Sequence, residues 1–242
     1  MDVPTEMQHQ AMGYDRVATM FSPDGHLLQV EYAEKIVKVG SACIGFNCKD
    51  GVLIIADKRI RDKLISSESS HKIYEVDSHV IAAAAGISSD ARMLIDHAQL
   101  LSQQNRVTYD SPIEPVSVIR SIADKKQLAT QYGGMRPYGV IVMLGGIHKN
   151  KSYLHTTDVT GNYMAFKANA IGENDEKIKE ILRQDYKEGM SINDALFFSL
   201  KIFKEILGKN FDVERFEAAY IKTAENPKIE RLQGNDLKKF SK

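Results

Sequence analysis

The sequence predicts an α+β fold in which antiparallel sheets are covered on their outer faces by helices. Short β-rich runs come in pairs around turn residues, helical runs come in pairs between them, and two of the strands are apolar almost throughout. Strands joined by tight turns pair antiparallel. A strand that is apolar on both faces needs cover on both, and the helix pairs supply it.

Residues 1–12 show no apolar period and read as a flexible tail. In the stretch Gly13–Ala33, SPDG (Ser22–Gly25) puts Pro at the second and Gly at the fourth position of a type I turn, which fixes the direction of the exit. The following HLLQVEYAEKIVK places Val30, Ala33, Ile36 and Val37 at helical spacing. On residues alone, this stiff, tyrosine-bearing element fits an active-site wall, a docking surface or ordinary packing.

SACIGFNCKDGVLIIADKRI reads as two strands turned at Lys49-Asp50-Gly51, and KIYEVDSHVIAAAAG repeats the pattern at Asp77-Ser78. Two helices follow. The first, SSDARMLIDHAQLLSQQ, carries an Ala91, Leu94, Ala98, Leu101 stripe with Ser89 or Asp90 as its cap, and the second, PIEPVSVIRSIADKKQLATQ, confines proline to its first turn. After the YGGMRPYG loop come strands YGVIVMLGG and SYLHTTD, then a helix over about 173–186. A fourth helix, SINDALFFSLKIFKEIL, carries the core stripe Ile192, Leu196, Leu200, Phe203 and Leu207, with Ser191 and Asp194 in capping-box relation. FEAAYIKT and KIERL close the fold as a hairpin around Glu225-Asn226-Pro227. With no linker or internal repeat in view, residues 1–242 are expected to form one domain.

Thirty-two basic residues balance thirty-two acidic ones, without the basic excess a nucleic-acid binder carries. Near-zero net charge suits a subunit that associates with copies or relatives of itself. No signal-peptide pattern and no apolar run of membrane-spanning length occur, so a cytoplasmic location without membrane contact is expected. Cys43 and Cys48, the two cysteines, lack metal or redox spacing and sit on opposite faces of one strand as buried small hydrophobes.

The search for chemistry returns little. GxGxxG after a strand, GxxxxGK[ST] and GxSxG are all missing, and Gly133-Gly134 and Gly145-Gly146 are assigned to loops or strand bulges. His9, His26, His71, His79, His97, His148 and His155 lie on separate elements, so no metal is expected. Ser41 opens the first strand, Asp57 ends the second and Lys72 begins the third. Such a serine suits acyl transfer only when its own α-amine is free to act as base, and forty residues precede Ser41.

The same residues carry a resemblance. YDR, FSPDGHLLQVEYA, VGSACIG, DGVLIIADKR, HKIYEV and QYGGMRPYGV resemble the α-subunits of the proteasome core particle, the archaeal type above all, from about Gly13 to Phe240. The resemblance implies a four-layer αββα sandwich, the N-terminal-nucleophile hydrolase fold. It implies a non-catalytic subunit of a threonine-type endopeptidase complex, without cofactor, in a seven-membered ring of α-subunits stacked on proteasome β-subunits. Ser41 then matches the β-subunits' nucleophile, masked by a retained extension. Residues 1–12 become a gating tail and 13–38 the turn and N-terminal helix, with Tyr14, Asp15, Pro23 and Tyr32 organising the gate through which unfolded protein substrates pass. Lys72, with Gly25 and Glu31 nearby, becomes the pocket for the C-terminal hydrophobic-Tyr-X motif of an ATPase activator.

Three departures stand out: the length of chain before Tyr14, His26 where the family commonly has Arg, and Cys43 where a small or hydroxylic residue is usual. Two rival readings remain, a hydrolase that unmasks Ser41 by processing and a chaperone-like or ligand-binding module that shares only the fold.

Overall fold

A computed structural model describes residues 11–59, 64–65 and 71–240. Helix α1 (Leu28–Val37) leads into strands β1 (Cys43–Cys48), β2 (Gly51–Asp57), β3 (Ile73–Asp77) and β4 (Val80–Gly86). Helices α2 (Ser88–Tyr109) and α3 (Pro115–Ala129) follow, then β5 (Val140–His148), β6 (Lys151–Thr157), β7 (Tyr163–Ala165) and β8 (Ala168–Ile171). Helices α4 (Asp175–Asp185) and α5 (Ile192–Leu207), strands β9 (Phe216–Lys222) and β10 (Ile229–Gln233) and the short α6 (Asn235–Lys238) complete the order.

The strands form two five-stranded antiparallel sheets, ordered β10-β9-β2-β1-β8 and β3-β4-β5-β6-β7. The pattern of apolar residues puts each layer in its place. Odd positions of β1 such as Cys43 face the core between the sheets with Val52, Ile54 and Met143, while even positions such as Phe46 and Cys48 face α4 and α5. The two cysteines therefore lie on opposite faces, both buried, as their spacing predicts. On the second sheet Val80, Ala82 and Ala84 meet Leu94, Ile119 and Ile122 of α2 and α3. The result is helix, sheet, sheet, helix, the predicted four-layer sandwich. β2 is buried along its whole length and β4 along nearly all of it, the expected outcome for strands covered on both faces. Fully buried Phe46, Phe203 and Phe216 each contribute roughly 1.5–3 kcal/mol through removal from water.

Gly45 and Gly145 set the closeness of the two sheets. A Cβ on Gly45 would sit 2.5 Å from Met143 Sδ, and one on Gly145 would sit 2.8 Å from Val52. This corrects the expectation of a loop or bulge at Gly145-Gly146, because both lie in regular register opposite Leu154 and Tyr153. Gly133-Gly134 does occupy a loop.

Other local expectations also shift. The α2 cap expected from Ser89 or Asp90 is not made, since Ile87 precedes the helix and no side chain caps it. Asp90 instead takes two 2.7 Å bonds from Arg136 and one of 2.9 Å from the Gly139 amide. Burial raises its pKa, but these bonds outweigh burial and hold the carboxyl below its usual range. Of the apolar residues at helical spacing in α1, Ile36 is 44% exposed, while Val30, Ala33 and Val37 are buried together with Leu28. The β3–β4 turn falls at Ser78-His79, one residue later than expected, next to a register shift at Glu75/Asp77. Strands β7 and β8 escape sequence reading altogether.

Candidate functional site

The SPDG turn is closed by backbone bonds in both directions. Gly25 N donates to Ser22 O at 2.9 Å, and Ser22 N donates to His26 O at 2.8 Å. The buried Ser22 side chain adds a third tie, accepting from His26 N at 3.1 Å. Gly25 adopts φ +82°, where a side chain would be strained although nothing lies within 4 Å of its Cβ position. Pro23 and Gly25 stand exposed at the tip.

Two side-chain contacts fasten this turn to its neighbours. Gln29 Nε2 donates to the Asp15 carbonyl at 2.5 Å, which docks the incoming segment on the first turn of α1. His26 Nδ1 meets Glu31 Oε1 at 2.5 Å across the turn–helix junction. Tyr14 and Tyr32 are half-buried, and Lys35 Nζ lies 5.5 Å from the centroid of the Tyr32 ring. The carboxylate Oδ1 of Asp15 is buried without a hydrogen-bond partner among the described residues. The structure thus gathers Pro23, Gly25 and Glu31 around one rigid turn, with the Tyr14–Asp15 segment docked behind it. The tail expected from residues 1–12 falls almost entirely outside the described residues.

Lys72 stands elsewhere, just before β3. Its backbone N–H donates to Glu217 Oε1 from β9, and Ile73 N does the same at 2.8 Å. Glu217, 1% exposed, also faces His71 Nδ1 at 3.0 Å and Gln233 Nε2 at 3.3 Å. The Lys72 ammonium makes no hydrogen bond or ion pair among the described residues, and nothing among them links it to Gly25 or Glu31. Sequence reading misses Glu217. Its one visible sign is an acid within the otherwise apolar FEAAYI run.

The Ser41 group is packed shut. Ser41 is 5% exposed and its hydroxyl is buried without a partner among the described residues. The chain in front of it is woven into the fold, with Glu173 N donating to Gly40 O at 2.7 Å. Only a glycine fits at 172, where a Cβ would lie 2.6 Å from Ser41 O and φ is +91°. Asp57 is 3% exposed and committed to Arg215, at 2.6 Å to Nη2 and 3.2 Å to Nε. Between these groups lies Cys43. Burial pushes its thiol up to about 12 against the opposing pull of Lys72, so it rests as an inert thiol. Asp57 and Lys72 both act electrostatically on this buried cysteine, and the Ser41 nitrogen is an amide, with no free amine to act as base.

A family model described as "Proteasome subunit" matches residues 37–221, and a second, for the N-terminal signature of A-type proteasome subunits, matches residues 14–35. The chain belongs to the proteasome α-subunit family. The proteasome alpha subunit of Archaeoglobus fulgidus is 42% identical over 87% of this chain and 85% of its own length. Those of Methanosarcina acetivorans and Pyrococcus abyssi are 40% and 39% identical over 95% and 94% of this chain, and 92% and 86% of their own lengths. The α-subunit signature spans Tyr14, Asp15, Pro23, Gly25, Glu31 and Tyr32, the same segment that the hydrogen bonds above make rigid.

Proposed function

We propose that this α-family chain is a non-catalytic member of a proteasome outer ring, in which seven copies or relatives surround an axial pore and stack on β-subunits. The observation that carries the reading is the closed Ser41 site. Its nitrogen is tied up in the peptide bond to Gly40, its hydroxyl is buried, and its neighbouring acid is spent on Arg215. A fold that offers the position of a nucleophile without its base serves structure and access, not bond cleavage.

In this reading residues 1–12 form the gating tail of a single domain 1–242, and the SPDG turn is its fixed hinge. Tyr14, Asp15, Pro23 and Tyr32 organise the open gate. Lys72, with a side chain uncommitted among the described residues, lines a pocket between neighbouring copies that accepts an activator's C-terminal carboxylate. Gly25 and Glu31 then contact the penultimate tyrosine of the hydrophobic-Tyr-X motif. One such charge-assisted contact contributes about 1.5–3 kcal/mol, and several around a ring add by avidity. The location is cytoplasmic, and no helix among the described residues is long and apolar enough to cross a membrane.

The test is co-expression with β-subunits, followed by electron microscopy and intact mass. Seven-membered rings built from chains that retain the residues ahead of Ser41 are expected. A purified chain that begins at Ser41 and hydrolyses peptides on its own would replace this reading with the self-processed hydrolase.

A further inference from the structure

A groove with an aromatic end and a basic rim crosses the outer surface of α4 and α5, away from the turn, Lys72 and Ser41. It is built from three adjoining cavities of ≈ 440, ≈ 720 and ≈ 480 Å³. Tyr186 lines the first and second, and Phe198 and Lys201 line the second and third, so the three are continuous. At the far end Phe197 and Phe240 meet edge-on, with centroids 5.2 Å apart, yet Phe197 remains 46% exposed. An aromatic pair with one ring this open at the end of a groove offers a surface on which an apolar group can pack.

The rim carries a net positive charge. Arg183, Lys187, Lys201 and Lys204 are exposed and make no ion pair among the described residues. Of the acids that line the groove, Glu188 holds Lys167 at 2.8 Å, Asp194 bonds Ser191 in the capping box that starts α5 while keeping its charge, and Asp185 is exposed, so bases outnumber acids along the rim. Phe197, Lys201 and Lys204 follow at i, i+4 and i+7 on a single face of α5. That span is about 10 Å of helix, the length of roughly three residues of extended chain.

We propose that this groove docks a linear acidic segment of a partner protein, with one aromatic or aliphatic side chain seated against Phe197 and Phe240 and carboxylates meeting Lys201 and Lys204. Charge complementarity selects this occupant. A second copy of the same face would bring one basic rim against another, and like-charge juxtaposition rejects that pairing. The aromatic anchor supplies affinity, while the lysines supply on-rate and discrimination. The proposal does not depend on the gate or on Lys72.

The experiment uses the full chain in its assembled state. A fluorescein-labelled dodecapeptide of Glu and Asp interrupted by two Phe residues is titrated by fluorescence anisotropy at about 50 mM and about 500 mM salt, concentrations that bracket the range over which surface charges are screened. Saturable micromolar binding is expected, weakened at least about tenfold by high salt and by K201E/K204E, severalfold by F197A, and retained by K201R/K204R. A matching peptide with Phe replaced by Ala should bind severalfold more weakly. Failure of the wild type to bind, undiminished binding by K201E/K204E, or equal binding of the Ala peptide each overturns the proposal. So does a change in assembly mass on K201E/K204E, which would make this face an interface between subunits.

Discussion

His26 Nδ1 lies 2.5 Å from Glu31 Oε1, so the turn that precedes α1 is closed onto the helix by a side-chain pair as well as by its backbone. Both partners are substantially exposed, at 53% and 34% of their side-chain surface. The pair therefore orients Glu31 more than it stabilises the fold, and exposed pairs are worth roughly 0–1 kcal/mol.

The turn itself should respond to backbone strain alone. Gly25→Ala meets no atom within 4 Å but must hold φ +82°, so a loss of about 1–2 kcal/mol is expected in urea unfolding. Gly25→Asn should lose less, because Asn tolerates the left-handed region. His26→Ala should cost under about 1 kcal/mol. Equal losses for the Ala and Asn variants would show that something other than φ sets the requirement.

Lys72 and Glu217 should separate docking from stability. Lys72→Ala removes an ammonium without a partner among the described residues, so activator-stimulated hydrolysis should fall about tenfold while basal peptide hydrolysis stays nearly intact. Glu217→Ala leaves the buried amide of Ile73 and the partly buried amide of Lys72 without this acceptor, at a cost of roughly 1–3 kcal/mol for the buried group and less for the other. It should lower both the unfolding midpoint and stimulation. If Lys72→Ala destabilises the chain as much as Glu217→Ala does, the lysine has a structural role instead.

A pH signature should come from Lys126, which is fully buried in α3 and donates to Val140 O at 2.8 Å and Thr157 O at 3.4 Å. Burial pulls its pKa down to about 7, with Asp158 opposing weakly. An unfolded lysine titrates near 10.4, so between about pH 7 and 10 the unfolded chain binds the extra proton. Stability is therefore reduced at neutral pH and recovers as pH rises through that window. Lys126→Met should be the more stable form at pH 7, by on the order of 2 kcal/mol or more, with a much smaller advantage near pH 10. Urea unfolding of both forms across this range decides, and a gap that does not narrow with pH refutes the assignment.

Deleting residues 2–12 should raise peptide hydrolysis by the assembled particle severalfold without touching a catalytic subunit. Peptide turnover by intact and truncated rings on the same β-subunits measures it. Unchanged turnover would mean that the tail is not the gate.

Legibility in the sequence follows the range of the interactions. The capping box of Ser191 and Asp194 and the SPDG turn depend on residues three or four apart, and both form as their spacing predicts. Asp90 misleads because its partner, Arg136, is remote in sequence and its carboxylate is the better site for that guanidinium than for a helix end. β7 and β8 are three and four residues long, too short to display alternation. Glu217 reaches back to Lys72 across the whole fold, and no local pattern announces such a contact. The residues of the candidate gate are readable because they lie in one continuous segment.

Gly40 ties the segment ahead of Ser41 to distant parts of the chain. Its carbonyl is held by Glu173, and the chain passes on to a serine that sits opposite a Cβ-less Gly172. A Cβ at Gly40 would fall 2.3 Å from the Gly86 amide nitrogen, so this point also admits no side chain. Cutting the chain ahead of Ser41 would therefore release a segment that the rest of the fold grips, so freeing a serine amine here carries a structural cost.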